Sequence, residues 1–314
     1  MIKRVRPAVD EAISAGGGTS RDGQPISYNR SSIPELRPWI SRLYATVVTA
    51  PDDYRLSCGL LNDTCFLRIQ LQGEWTAETG RGPLAYARAA LFFGPQSRRM
   101  PVSVTGSFTS IGVSLRPGAC HAFKGPKIPE HVDAIVRAED IGLSSEALIE
   151  RFPDDADPER WLQELEAVVR ERVEAAGGAE PDPVTRHFES VCLADPNLSI
   201  SEIAEQCGVE LRKLERIVRR DFGMAPKQAL RRARALDMAS HLRGVADQAE
   251  AEDLILRYYD QSHLIREFVD LFGMSPGQFV ARPQPLLTLA LESRQARRLE
   301  ALERIVPGQV RPWQ

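Results

Sequence analysis

Nine basic residues, Arg212, Lys213, Arg216, Arg219, Arg220, Lys227, Arg231, Arg232 and Arg234, crowd the stretch 212–234 beside only two acids, Glu215 and Asp221. The whole chain, by contrast, has 314 residues and a formal net charge of −3. A guanidinium fork matches a phosphate or the edge of guanine bidentately, and a lysine ammonium holds a phosphate as a point charge. A local basic patch in a chain that is otherwise slightly acidic is the electrostatic footprint of a nucleic-acid contact. A lone arginine would read as a solvated helix face; the cluster argues for more.

The elements that hold this cluster read as helices. Leu211, Leu214, Val218 and Phe222 form an apolar stripe over about 210–222, and the arginines lie off it. Before it, Ser199 and Glu202 form a capping box opening a helix in which Ile203, Ala204 and Cys207 face inward, and Gly208 allows a sharp turn. Helix, glycine turn and basic helix spell a helix-turn-helix. Pro226 opens a long helix to about Arg243. The turn Phe222-Gly223-Met224-Ala225-Pro226 then returns as Phe272-Gly273-Met274-Ser275-Pro276, so the unit occurs twice. The second copy is expected over about 249–258 and 260–272, with Asp260 as N-cap, and Met224 and Met274 are expected beneath the turns. In register Tyr258 stands opposite Gly208, and Asp247, Glu250, Glu252 and Asp253 make the approach acidic. The second unit is therefore expected to contribute less. His263 lies beside the apolar stripe and reads as a packing or capping residue.

Upstream the period changes. From about Trp39 to Leu115 apolar and polar residues alternate, as in Cys65, Leu67, Ile69 and Leu71 against Phe66, Arg68, Gln70 and Gln72, which predicts half-buried strands in an antiparallel β-sandwich or barrel. Arg68, Trp75, Arg88 and Arg98 are placed on its surface, with an effector pocket as the alternative. Two helices follow, and the stripe of Trp161, Leu162, Leu165, Val168, Val169 and Val173 is expected to pack on the sheet rather than on a second copy. The chain thus divides into an arm (1–30), a β-rich region with two helices (31–176), a linker (177–183), a helical region (184–284) and a helical tail (285–314). The five cysteines show no metal-ligand spacing, which favours a reducing cytoplasm, and Cys58 and Cys65 read as buried strand residues. His121 and His131 are too few for a metal site before the linker, so no cofactor, metal or catalytic role is expected. No apolar run is long enough for a membrane span.

Residues 184–282, with Ile200 to Val209, Tyr258 to Phe268 and both FGM-x-Pro turns, closely resemble the DNA-binding domain of AraC/XylS-family transcriptional regulators. Residues 30–176, through Arg37-Pro38-Trp39-Ile40 and Gly112 to Ala119, resemble the N-terminal domain of one branch of these regulators. The resemblance implies an α+β multidomain chain: a cupin-like β-domain that senses a small molecule, dimerises, or both, followed by an all-α double helix-turn-helix. It implies that Arg212, Glu215 and Arg216 face bases in the first unit, with Gln261, Ser262 and Arg266 at the corresponding places of the second. Lys213, Arg219, Lys227, Arg231 and Arg232 are assigned to phosphates. The expected partner is double-stranded DNA at two successive major-groove faces. RNA polymerase, an unidentified small effector and a second copy of the chain are further candidates, and the sign of regulation is open. The competing reading is a protein-interaction adaptor in which the second unit and the tail hold a partner protein.

Overall fold

The alternating residues of the N-terminal half form one antiparallel sheet in the computed structural model, which describes residues 14–15, 27–246 and 261–304. Its strands are β1 (Ser14–Ala15), β2 (Tyr28–Arg30), β3 (Ile40–Thr49), β4 (Arg55–Leu60), β5 (Cys65–Thr79), β6 (Gly82–Tyr86), β7 (Ala89–Phe93), β8 (Met100–Leu115) and β9 (Ile135–Arg137). The order is β1-β3-β8-β5-β7-β9, with β2 on β3, β4 on β8 and β6 on β5. The long strands β5 and β8 are the spine, paired from Cys65 opposite Leu115 to Ala77 opposite Val102. Two register shifts, between Gln70 and Gln72 and between Gln72 and Glu74, interrupt that ladder at Gly73, whose φ of +104° suits a glycine. One edge of β8 carries β3 along residues 108–115 and β4 along 100–105.

The period-two pattern is present, but both faces of the sheet are covered. Cys65, Leu67, Ile69 and Leu71 point into a core built with helix α3 (Pro158–Ala175), whose Trp161, Leu162, Leu165, Val168 and Val169 pack on the chain's own sheet. Phe66 and Phe93 point the other way, into a core shared with the C-terminal helices. All seven residues from Cys65 to Leu71 are buried, so the expected half-burial is corrected: a second helical layer lies where solvent was expected. Two short helices, α1 (Ala119–Ala122) and α2 (Ser145–Glu150), complete this part.

The C-terminal helices are α4 (Pro183–Ala194), α5 (Ile200–Gln206), α6 (Leu211–Phe222), α7 (Pro226–Leu242), α8 (Gln261–Phe272), α9 (Pro276–Ala281) and α10 (Pro285–Ala301). The capping box of α5 is formed: the Ser199 hydroxyl accepts from the Glu202 amide, and the Glu202 carboxylate accepts from the Ser199 amide. Phe188 and Phe222 meet edge to face at 5.0 Å in the first unit. In the second, Phe268 stacks on Phe272 at 4.2 Å and both meet Phe279. Met224 and Met274 are both buried. The helix expected over 249–258, the Asp260 cap, Tyr258 and the acidic approach lie outside the described residues, as do 1–13 and 16–26 of the arm and 305–314 of the tail.

Helix α10 is not a free tail. Leu287, Leu291 and Leu299 are buried in the core that also holds Leu56, Leu60 and Phe108 of the sheet and Leu236 of α7. The face assigned to a partner protein is therefore occupied within the chain. No described helix is long and apolar enough to cross a membrane.

Candidate nucleic-acid interface

Helix α6 follows the turn at Gly208, whose φ is +63°. Leu214, Ile217, Val218 and Phe222 are buried and fix its rotation. That rotation leaves Arg212, Lys213, Glu215, Arg216 and Arg219 exposed on the opposite side. Arg212, Lys213, Arg216 and Arg219 make no ion pair among the described residues. Arg220 differs, because it folds back on buried Asp221 through two contacts of 2.7 Å, and the hydrogen bond to that carboxylate raises its pKa. The C-terminal end of α6 is anchored at Gly223, which has φ +75°, and a methyl group there would come 2.5 Å from Val132 Cγ2. The helix is thus held at one end while its N-terminal half and basic face stay open.

The second unit is arranged differently. Arg266 of α8 is exposed, together with the apolar Ile265 and Val269. Gln261 and Ser262 open α8, and their side chains lie outside the described residues. His263 falls under the same limit. Glu267 is buried and draws two arginines of α7 toward α8, Arg231 at 3.2 Å and Arg234 at 2.8 Å. Asp270 takes Arg231 as well, at 3.2 Å. Arg231 and Arg234 of α7 therefore join the two units, while Arg212, Lys213, Arg216 and Arg219 of α6 make no ion pair among the described residues.

These pairings sort the residues assigned to phosphates. Lys213, Arg219 and Lys227 are exposed. Arg231 is half-buried and engaged with Glu267 and Asp270. Arg232 is corrected outright: it is 2% exposed and donates to the carbonyls of Gln96 at 2.8 Å and Asp63 at 3.0 Å. It docks the helical region on the sheet and offers nothing to DNA. Burial is the main influence on its pKa and lowers it.

Sequence reasoning missed a second charged group, at the seam between the sheet and the helices. Arg294 of α10 meets Asp237 of α7 and lies 3.3 Å from Asp63. Arg297 reaches Asp63 at 2.9 Å, Arg298 reaches Asp237 at 3.0 Å, and Arg42 of β3 reaches Glu300 at 2.6 Å. Burial pushes the Asp63 carboxyl up, but the charges of Arg297, Arg294 and Arg232 outweigh it and hold its pKa below the ordinary value. The available signal was three arginines at 294, 297 and 298, sharing one face of a helix rich in leucine. The surface assignment of Arg68 and Trp75 is also corrected, since they are 8% and 2% exposed beneath α10. Arg88 and Arg98 are at the surface, Arg88 paired with Asp154. Cys58 and Cys65 are buried, and Cys65 Sγ lies 3.6 Å from Cys120 Sγ.

Residues 203–282 match the family model of a helix-turn-helix domain. No curated protein matches the chain. Among solved structures, ToxT from Vibrio cholerae is similar at 9% identity, covering 76% of this chain and 97% of that one with a TM-score of 0.43. ToxT bound to an unsaturated fatty acid is similar at 8% identity, covering 83% and 99% with a TM-score of 0.42. The AraC-like transcriptional activator CuxR is similar at 15% identity, covering 63% and 78% with a TM-score of 0.30. These likenesses are distant, and the assignment rests on the sequence match together with the two turns it spans. Residues 203–282 are a helix-turn-helix domain of the AraC type, the DNA-binding module of a transcription regulator.

Proposed function

We propose that this chain is a sequence-specific regulator that grips DNA chiefly through α6, with Arg212, Glu215 and Arg216 at base edges. The observation that carries this reading is the open basic face of α6, whose Arg212 and Arg216 are exposed and free of ion pairs among the described residues. An arginine in the major groove binds guanine O6 and N7 bidentately, and a glutamate accepts from cytosine N4. Lys213, Arg219 and Lys227 lie on phosphates and set position rather than sequence. Arg266 reads in the second unit with Gln261 and Ser262, and more weakly, because Glu267 and Asp270 on the same helix put carboxylates close by. The two units take successive major-groove faces, and the β-rich region is the regulatory half that a small effector addresses.

Binding of genomic fragments, followed by footprinting of the selected sites, tests this reading. The expected footprint has two protected patches about one helical turn apart, the stronger one assigned to α6 by cross-linking from position 212. Uniform protection with no selected sequence would overturn it.

A further inference from the structure

A cavity of about 80 Å3 lies between the sheet face that carries Phe66, Arg68 and Phe108 and the helix α10. Its wall holds four guanidinium groups, Arg42, Arg68, Arg294 and Arg297, against a single carboxylate, Asp63. Three of the four have an acid: Arg42 has Glu300, Arg294 has Asp237 and Arg297 has Asp63. Arg68 has none among the described residues. Its Nε donates to the Tyr44 hydroxyl at 2.7 Å, and its guanidinium lies over the Phe93 ring at 4.4 Å. Aromatic faces offset part of the cost of burying a cation, but a counter-charge offsets far more. Three further groups in the same wall lack a partner among the described residues: the Ser110 hydroxyl, 4% exposed, Arg297 Nε, 6% exposed, and the Trp75 indole N–H, 2% exposed. Buried polar groups left unpaired mark a place where something polar is missing.

We propose that this cavity binds a small monocarboxylate, its oxygens on Arg68 and the Ser110 hydroxyl and its carbon body against Trp75 and Phe108. The inference rests on the reading of the β-rich region as the regulatory half. One surplus guanidinium matches one negative charge, which favours a monoanion over a phosphate ester. The volume is that of roughly five waters, so the acid has few heavy atoms. Because α10 forms one wall, a bound acid and a docked α10 support each other.

Calorimetric titration of the full-length protein with acetate, propionate and butyrate, at ionic strength matched by chloride, tests the proposal, with propionamide as the uncharged control. At least one acid is expected to bind with saturation, and propionamide to bind at least about tenfold more weakly. Arg68→Met is expected to weaken the acid by about tenfold to a hundredfold, the range for losing a charged hydrogen bond. Should that variant not fold, Ser110→Leu, which fills the cavity, is expected to abolish acid binding with an unchanged circular dichroism spectrum. The proposal is overturned if no acid in the series saturates the wild-type protein, or if whichever of these variants folds binds it with wild-type affinity. DNA affinity of the same samples separates the two readings. Retained DNA binding without acid binding sinks this proposal alone, whereas a wild-type protein that selects no DNA sinks the proposed function.

Discussion

Replacing Asp237 by alanine should loosen α10 from the rest of the molecule. Asp237 and its partners Arg294 and Arg298 are all buried, so the change leaves two guanidinium groups in a poorly solvated seam without their shared carboxylate. Breaking a buried pair by removing one partner costs about 3–5 kcal/mol, whereas an exposed pair is worth roughly 0–1. Arg294 keeps Asp63 at 3.3 Å and the Cys192 carbonyl at 3.0 Å, which places the expected loss near the lower end, about 3 kcal/mol by the same rule. The apolar face remains, because Leu287, Leu291 and Leu299 each retain a burial worth roughly 1.5–3 kcal/mol. Helix α10 should therefore stay docked but open more often. Amide hydrogen exchange reads this directly: protection over 285–301 should fall on the order of 100-fold, with little change in the core strands β5 and β8. Urea denaturation of the same protein supplies the global figure. Unchanged protection over 285–301, or a loss below about 1 kcal/mol, would refute the claim that the seam is a closed, poorly hydrated ion-pair group.

The remaining expectations concern the repeat and its charges. Gly223→Ala should destabilise the protein by at least about 1 kcal/mol more than Gly273→Ala, measured by urea denaturation. Both glycines are left-handed, but a methyl group at 223 meets Val132 while the space at 273 is open. Equal losses would show that the anchor of α6 on residues 128–132 is not tight. Lys213→Ala or Arg219→Ala should weaken binding to all DNA and lower the slope of log affinity against log salt by about one. Arg232→Ala should leave that slope unchanged and instead cost about 1–3 kcal/mol of stability for each carbonyl left without its donor, Gln96 and Asp63. A lowered slope in Arg232→Ala with normal stability would return that residue to the DNA interface.

What the sequence disclosed and what it hid follow from the range of the forces involved. The capping box at Ser199, the stripe of α6 and the doubled FGM-x-Pro turn are local, set by propensity and periodicity over a few residues, and each could be read from the residues alone. The alternation in β5 was equally legible, and Cys65, Leu67, Ile69 and Leu71 do face α3. Its even positions could not be placed, because their cover comes from α10, more than two hundred residues along the chain. Separation along the chain also hid the role of Arg232, whose acceptors at Gln96 and Asp63 lie 136 and 169 residues away, and the cover of α10 hid the burial of Arg68. An arginine in a polar pattern looks solvated until a remote carbonyl, ring or carboxylate is brought to it. Arg212 and Arg216 are exposed, and no described residue folds over them, so their surface position needed no remote partner to be read.

The inequality of the two units also has a physical shape. In α6 Arg212, Lys213, Arg216 and Arg219 are outward and make no ion pair among the described residues, while Arg231 and Arg234, which lie between the units, are held by Glu267. The repeated turn thus reuses one scaffold in two ways, with an open basic face in the first copy and a charged brace in the second.

Affinity of the Arg212→Ala, Arg216→Ala double variant for a selected DNA site tests the central claim most directly. Each bidentate contact to a base is worth about 1–3 kcal/mol, so the pair should weaken specific binding on the order of 30-fold or more, with unfolding free energy unchanged because both side chains are exposed and make no ion pair among the described residues. Wild-type affinity and an unchanged footprint in the folded double variant would contradict it.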